Sequence, residues 1–187
     1  GDALRKVLDL LRQAKPKRQA RMTARNMRLL AELEDEGRRA AILHLPRHLM
    51  RIAERERAGW IDAQGREHPP RPLDAARTAA LAVAVEIELH CPIRIENLTN
   101  LRFGHDLVRL DGGARGYTHV RIAEEAVKND VAIEWALDTD TRSVLVEFVS
   151  HYRPLLPNAG SDWLFPSKTH ADQPRHKGRL GNAISLA

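Results

Sequence analysis

Apolar residues recur at helical spacing over residues 3–14, where Leu4, Val7, Leu8, Leu10 and Leu11 share a face, and Pro16 stops that helix near residue 14. A second helix is expected from a Thr23 cap, with Met27, Leu29, Leu30 and Leu33 as its apolar positions and Gly37 ending or bending it. Residues 39–58 read the same way through Ile42, Leu43, Leu45, Leu49, Met50 and Ile52, with Pro46 at a helix start or a short break. The stretch 59–72 holds Gly59, Gly65, Pro69, Pro70 and Pro72 and has no periodic apolar signal, so it predicts a loop. Asp74 is the expected cap of an Ala-rich helix over residues 75–90 that is buried on most faces. Pro92 breaks it and opens a short helix carrying Ile93, Ile95, Leu98 and Leu101.

Beyond Leu101 the period changes. Residues 107–110, 117–123 and 131–137 alternate as strands, with Asp111-Gly112-Gly113 and Val127-Lys128-Asn129-Asp130 as the turns. Asp138 or Thr139 caps the next helix, whose Val144, Leu145, Phe148, Val149 and Tyr152 line one face up to Pro154. Residues 158–162 form a loop, Trp163-Leu164-Phe165-Pro166 a short apolar anchor, and helical character returns at 182–187. The expected fold is α+β, mainly helical with a small three-stranded antiparallel sheet.

Composition narrows the class. The 187 residues are 43% hydrophobic and 29% charged, enough for a packed core. A single cysteine, Cys91, excludes an internal disulfide and a multi-cysteine zinc site. The longest apolar run, residues 79–85, is far below the roughly 20 residues that span a bilayer, so no membrane partner is expected and the cytoplasm is the expected compartment. His44 and His48 lie four apart, a zinc-helix spacing, but Pro46 lies between them and no glutamate follows His44. Neither a metal nor a cofactor is called for. Lacking an initiator Met at Gly1, the chain is expected to be an excised fragment.

Charge changes the picture more. The net charge is +5, but Arg5, Lys6, Arg12, Lys15, Lys17, Arg18, Arg21, Arg25 and Arg28 face only Asp2 and Asp9 in the first 28 residues. Lys168, Arg175, Lys177 and Arg179 form a second basic stretch, and the centre is mildly acidic. Clustered cations release counterions from a polyanion, which points to nucleic acid; a solvated basic surface is the other reading of the same pattern.

Three separated segments then fall in a specific order: Pro92-Ile93-Arg94-Ile95-Glu96-Asn97-Leu98-Thr99-Asn100-Leu101, then Val127-Lys128-Asn129-Asp130, then Tyr152-Arg153-Pro154 with Trp163-Leu164-Phe165-Pro166. This order resembles the catalytic domain of the tyrosine recombinases, the phage integrase family, and residues 21–46 are similar to the lead-in to that domain in a bacterial integrase subgroup. The resemblance implies a DNA breaking-rejoining fold, a basic lead-in over residues 1–58, a loop at 59–72, and the first half of a catalytic domain at 73–187. It also implies double-stranded DNA as partner, a tetrameric working assembly for the parent enzyme, and cleavage through a 3′-phosphotyrosine intermediate.

Under that resemblance Arg94 stabilises charge on the phosphoryl oxygens and Lys128 protonates the leaving 5′-oxygen, so protein cations alone supply the positive charge. Glu96 and Asn97 are supporting residues, since Asn97 stands where the family commonly has Glu. DNA contacts are expected from Arg12, Lys15, Lys17, Arg18, Arg21, Arg25, Arg28, His176, Lys177 and Arg179. His44-Leu45-Pro46-Arg47 matches the family's later H-x-x-R motif but precedes Arg94, and His176-Lys177-Gly178-Arg179 comes before the helix where that motif belongs. The nucleophile is neither Tyr117 nor Tyr152, both of which read as packing residues, and the chain is expected to be inactive alone. Two other classes fit the same residues: a DNA-binding regulator or architectural module without chemistry, and a helical interaction protein whose basic ends are solvated. Arg94 as a surface ion pair and Lys128 as an ordinary turn lysine belong to those readings.

Overall fold

Asp35 Oδ1 accepts the backbone N–H of Arg38 at 2.8 Å, as a helix N-cap does, and the chain then runs helically over Glu36–Ala58 (α1). Just before it, the N–H groups of Leu33 and Glu34 donate to Leu30 and Ala31 at 3.0 and 3.2 Å. The helical stretch before Asp35 therefore ends in this turn. Gly37, expected to end or bend it, sits in the first turn of α1 instead. The computed structural model describes Met27, Leu30, Ala31 and residues 33–110, 116–127 and 131–186. The helix expected over 3–14 and its successor's cap at Thr23 lie outside these residues. Two units divide the chain, residues 1–40 and 41–187.

Pro46 neither starts nor breaks a helix, because α1 passes through it. Pro46, Leu49, Met50 and Ala53 form one buried face at i, i+3, i+4 and i+7. A proline inside a helix costs about 3 kcal/mol. Burying two side chains the size of Leu49 and Met50 contributes roughly 1.5–3 kcal/mol each, which offsets it. Residues 59–72 hold more than a loop: Trp60–Ile61 (β1) and Glu67–His68 (β2) pair as an antiparallel hairpin. Its turn is built on Asp62, whose carboxylate accepts the N–H groups of Gln64 (3.0 Å) and Arg66 (2.9 Å). Those bonds, led by Arg66, hold the Asp62 carboxyl down at about 2. Gly59 enters the hairpin at φ +77°, and a Cβ there would lie 2.8 Å from the His68 carbonyl oxygen, so a side chain is excluded.

Pro72, and not Asp74, opens the next helix, Pro72–His90 (α2). Proline suits the first helical position because that N–H has no partner to lose. Asp74 lies in the first turn and pairs with Arg77 at 3.1 Å. As its composition predicts, α2 is buried on most faces, from Ala75 to Ile87, and is the axis around which the rest packs. It ends at Cys91, whose non-helical backbone (φ −130°, ψ 83°) avoids the α region that a following proline disfavours. The short helix after it, Ile95–Thr99 (α3), starts three residues later than expected. Ile93 is buried as an anchor, and Arg94 takes the N-cap position with an extended backbone.

Leu107–Val108 (β3), His119–Ile122 (β4) and Ile133–Ala136 (β5) form the expected three-stranded antiparallel sheet, in chain order, with Val120 opposite both Leu107 and Trp135. Asp138 caps Thr139–Glu147 (α4) by accepting the Thr141 N–H at 2.7 Å. A π-helical turn, Phe148–Tyr152, and a 3-10 turn, Arg153–Leu155, continue it and bury Phe148 and Tyr152. Leu164, Phe165 and Pro166 are buried as the anchor. The last helix, Lys177–Leu186 (α5), starts five residues before the helical turn expected there. The chain is therefore α+β, mainly helical. No helix among the described residues is long and apolar enough to cross a membrane.

Candidate functional site

Arg94 is exposed at the start of α3, and its guanidinium has no hydrogen-bond or ion-pair partner among the described residues. Its backbone is fixed: the carbonyl accepts the Leu98 N–H at 2.9 Å. Packing of α3 against α5 holds that short helix in place. Gly181 of α5 faces Ile95 of α3, where a Cβ would lie 3.5 Å from Ile95 Cγ1, an ordinary packing distance. Glu96 Oε1 accepts a hydrogen bond from Lys177 Nζ at 2.9 Å, which joins the Arg94 helix to the basic first turn of α5. Thus Arg94, Glu96, His176, Lys177 and Arg179 occupy one pair of packed helices. Among the described residues neither Glu96 nor Asn97 bonds the Arg94 guanidinium. Lys128 lies outside the described residues, although the strands on either side of it, β4 and β5, pair across four residue pairs. Arg12, Lys15, Lys17, Arg18, Arg21, Arg25 and Arg28 also lie outside them.

Beside α5 a cleft of about 630 Å³ opens between α2, the turn after Tyr152 and the loop that follows the anchor. Its cations are Arg77, Lys168, Arg175 and Arg179, joined by His170 and His176, and no aspartate or glutamate lines it. The loop is tied shut at its base: Arg175 N–H donates to Phe165 O at 2.7 Å and Ser167 N–H to Gln173 O at 3.0 Å. His176 Nδ1 accepts the Gly178 N–H at 3.2 Å, which leaves its second nitrogen as the N–H donor of the neutral ring. Burial, with Arg77 and Arg179 close by, pushes the Arg175 guanidinium below the usual arginine range.

Glu86, His90 and Asp138 place ligand-type atoms within 4.8 Å of one another. Their bonds are those of a structural network. The buried Glu86 Oε1 accepts from Thr141 Oγ1 at 3.0 Å, His90 Nδ1 lies 3.0 Å from the Glu86 carbonyl oxygen, and His90 Nε2 lies 3.2 Å from Asp138 Oδ2. The cluster thus seats the cap of α4 on the end of α2. Two residues from both Glu86 and His90, Glu88 Oε1 is buried with no hydrogen-bond partner, and desolvation pushes its carboxyl up to about 7. Burial, with the Glu88 charge, pushes the Cys91 thiol up to about 11, so it is not a nucleophile at neutral pH.

Both tyrosines pack. Tyr152 is buried in the core with Arg57 over its ring, and Tyr117 stacks on Phe103 with ring centroids 5.1 Å apart. Sequence reasoning missed Arg153. This buried guanidinium donates to the carbonyls of Ala159 (2.6 Å), Ser161 (2.5 Å) and Trp163 (2.6 Å), so it ties the loop before the anchor to the core. It also missed Arg77 and Arg175 as members of the cationic cleft; the run without acids around Arg175 was the available signal. No family model, no curated protein and no solved structure matches the chain.

Proposed function

We propose that the chain forms the arginine- and lysine-bearing half of a DNA breaking-rejoining catalytic domain of the tyrosine-recombinase kind. One observation carries the reading. Arg94 is an exposed guanidinium without an acid partner among the described residues, on a short helix that packing and the Glu96–Lys177 bond join to a second basic turn. A surface arginine with a structural role would be expected to sit in an ion pair, whereas one that meets a phosphate has to be left open. In this reading Arg94 binds the non-bridging oxygens of the scissile phosphate and strengthens that contact as negative charge grows in the transition state. Lys128, from the β4–β5 connection, gives a proton to the departing 5′-oxygen. Lys177 and Arg179 hold the neighbouring backbone. The tyrosine that attacks phosphorus comes from outside residues 1–187, since Tyr117 and Tyr152 are engaged in packing.

The test has two arms. For the chain itself, duplex DNA affinity measured against salt should fall linearly on logarithmic axes, and Arg94→Ala should reduce the slope by about one phosphate contact. For the chain continued through its parent gene, a site chosen from a pool of random duplexes and then nicked should trap a covalent protein–DNA adduct. Removing Arg94 or Lys128 should lower adduct formation by about a hundredfold or more, the scale of one lost oxyanion donor. Steep salt dependence with no adduct would make the protein a non-catalytic DNA-binding module, and an adduct indifferent to both substitutions would overturn the roles given to Arg94 and Lys128. A flat salt response would remove DNA altogether.

A further inference from the structure

Apart from Arg179, the residues that line the cleft beside α5 are not used by the phosphate-backbone contacts above. Its lining combines cations with the apolar Ala80, Leu156, Pro157, Phe165 and Pro166. Its volume of about 630 Å³ lies within the range of small-molecule sites and is far more than one phosphate occupies. Ser167, Thr169 and Gln173 add hydrogen-bonding groups around the opening. From this mixed cationic and apolar lining we propose that the cleft binds a nucleotide, with the phosphate on Arg175, Arg77 and Arg179 and the base against Leu156, Pro157 and Pro166.

Three features of the structure support that assignment. First, the cations converge without compensation. Arg77 has Asp74 at 3.1 Å, but Arg175 and Arg179 have no acid partner among the described residues, and no carboxylate lines the cleft. Holding like charges together in a partly buried site costs free energy that an anionic ligand returns. Second, the site is preformed. The bonds from Arg175 N–H to Phe165 O and from Ser167 N–H to Gln173 O close the loop, and Asn158 Nδ2 donates to Ser167 O at 2.8 Å. Binding therefore need not order the loop. Third, inorganic phosphate would satisfy the guanidiniums and leave the apolar residues wet, whereas a purine or pyrimidine covers them with a flat face. The inference does not depend on DNA cleavage. A free nucleotide and an unpaired nucleotide of a DNA strand share this chemistry.

The experiment is calorimetric titration of the chain with adenosine monophosphate, inorganic phosphate and a short thymidylate strand, with the melting temperature of each protein recorded. Saturable binding of the nucleotide, with inorganic phosphate at least about tenfold weaker, is expected from loss of the apolar contact. Arg175→Gln should weaken nucleotide binding by about tenfold or more, the scale of a hydrogen-bonded charge. It should also raise the melting temperature of the free protein, because it removes the repulsion from Arg77 and Arg179. Arg179→Gln, at an exposed position on the rim, should weaken binding too, which keeps the test open if the Arg175 variant folds badly. Leu156→Ser should weaken the nucleotide and leave phosphate unchanged. Competition between the strand and the mononucleotide identifies an unpaired DNA nucleotide as the source, and its absence a free nucleotide. Absence of saturable nucleotide binding, equal affinity for phosphate, or wild-type affinity in both arginine variants would overturn the proposal.

Discussion

Glu88 and Arg153 show two outcomes of placing a charge-bearing side chain inside a small fold. Arg153 reaches three carbonyls and packs over the Phe103 ring, so its charge is shared among acceptors that the loop has to satisfy anyway. Glu88 has no such partner, and its carboxyl titrates near 7 rather than at the ordinary 4.5. The folded protein therefore holds this proton more tightly than the unfolded chain does. The stability it contributes is complete below about 4.5 and is lost as the pH rises through about 7. Glu88→Gln removes this dependence. In urea titrations across that interval, the variant should gain on the wild type steadily from acid to neutral pH. A constant difference would show that Glu88 is solvated. Neither role is visible in sequence, because a lone glutamate or arginine reads as surface even between apolar neighbours such as Ile87 and Leu89, and only the folded chain reveals which carbonyls surround it.

Among the elements, those whose signal is local were legible. The strand alternation before and after Lys128, the Asp138 cap, the Ala-rich core helix and the Leu164-Phe165-Pro166 anchor all occur where the pattern placed them. Those decided by tertiary burial were not. Pro46 reads as a break until the face it shares with Leu49 and Met50 is seen to be covered, and the β1–β2 hairpin has strands too short to alternate. The N-terminus of α4 depends on contacts of both kinds. Asp138 caps it locally, while His90 and Glu86 reach it from α2. Bonding to the Thr141 N–H, ahead of the His90 contribution, holds the Asp138 carboxyl below its ordinary range, so the cap's contribution is present above about 3.8 and is lost on further acidification. Asp138→Ala should cost about 1 kcal/mol at neutral pH by denaturant melting, with the deficit shrinking in acid. A pH-independent deficit would make the loss steric rather than electrostatic. In the candidate site, the short helix after Arg94 was legible, whereas the Glu96–Lys177 bond required the packing of α3 on α5.

At the scale of the whole molecule, that single bond bears on the affinity that the proposed function requires. Glu96 places a carboxylate on Lys177, an ammonium that the proposed function directs at a phosphate. An internal acid and an external polyanion cannot hold the same ammonium fully, so in the proposed reading Glu96 competes with the duplex for Lys177. Neutralising it with Glu96→Gln should tighten DNA binding and steepen the salt response by about one released counterion, without altering the melting temperature beyond the small value of an exposed ion pair. Unchanged affinity in the same titration would show that Lys177 never meets DNA. In that reading Glu96 is a restraint that keeps a cationic surface from gripping every duplex it encounters.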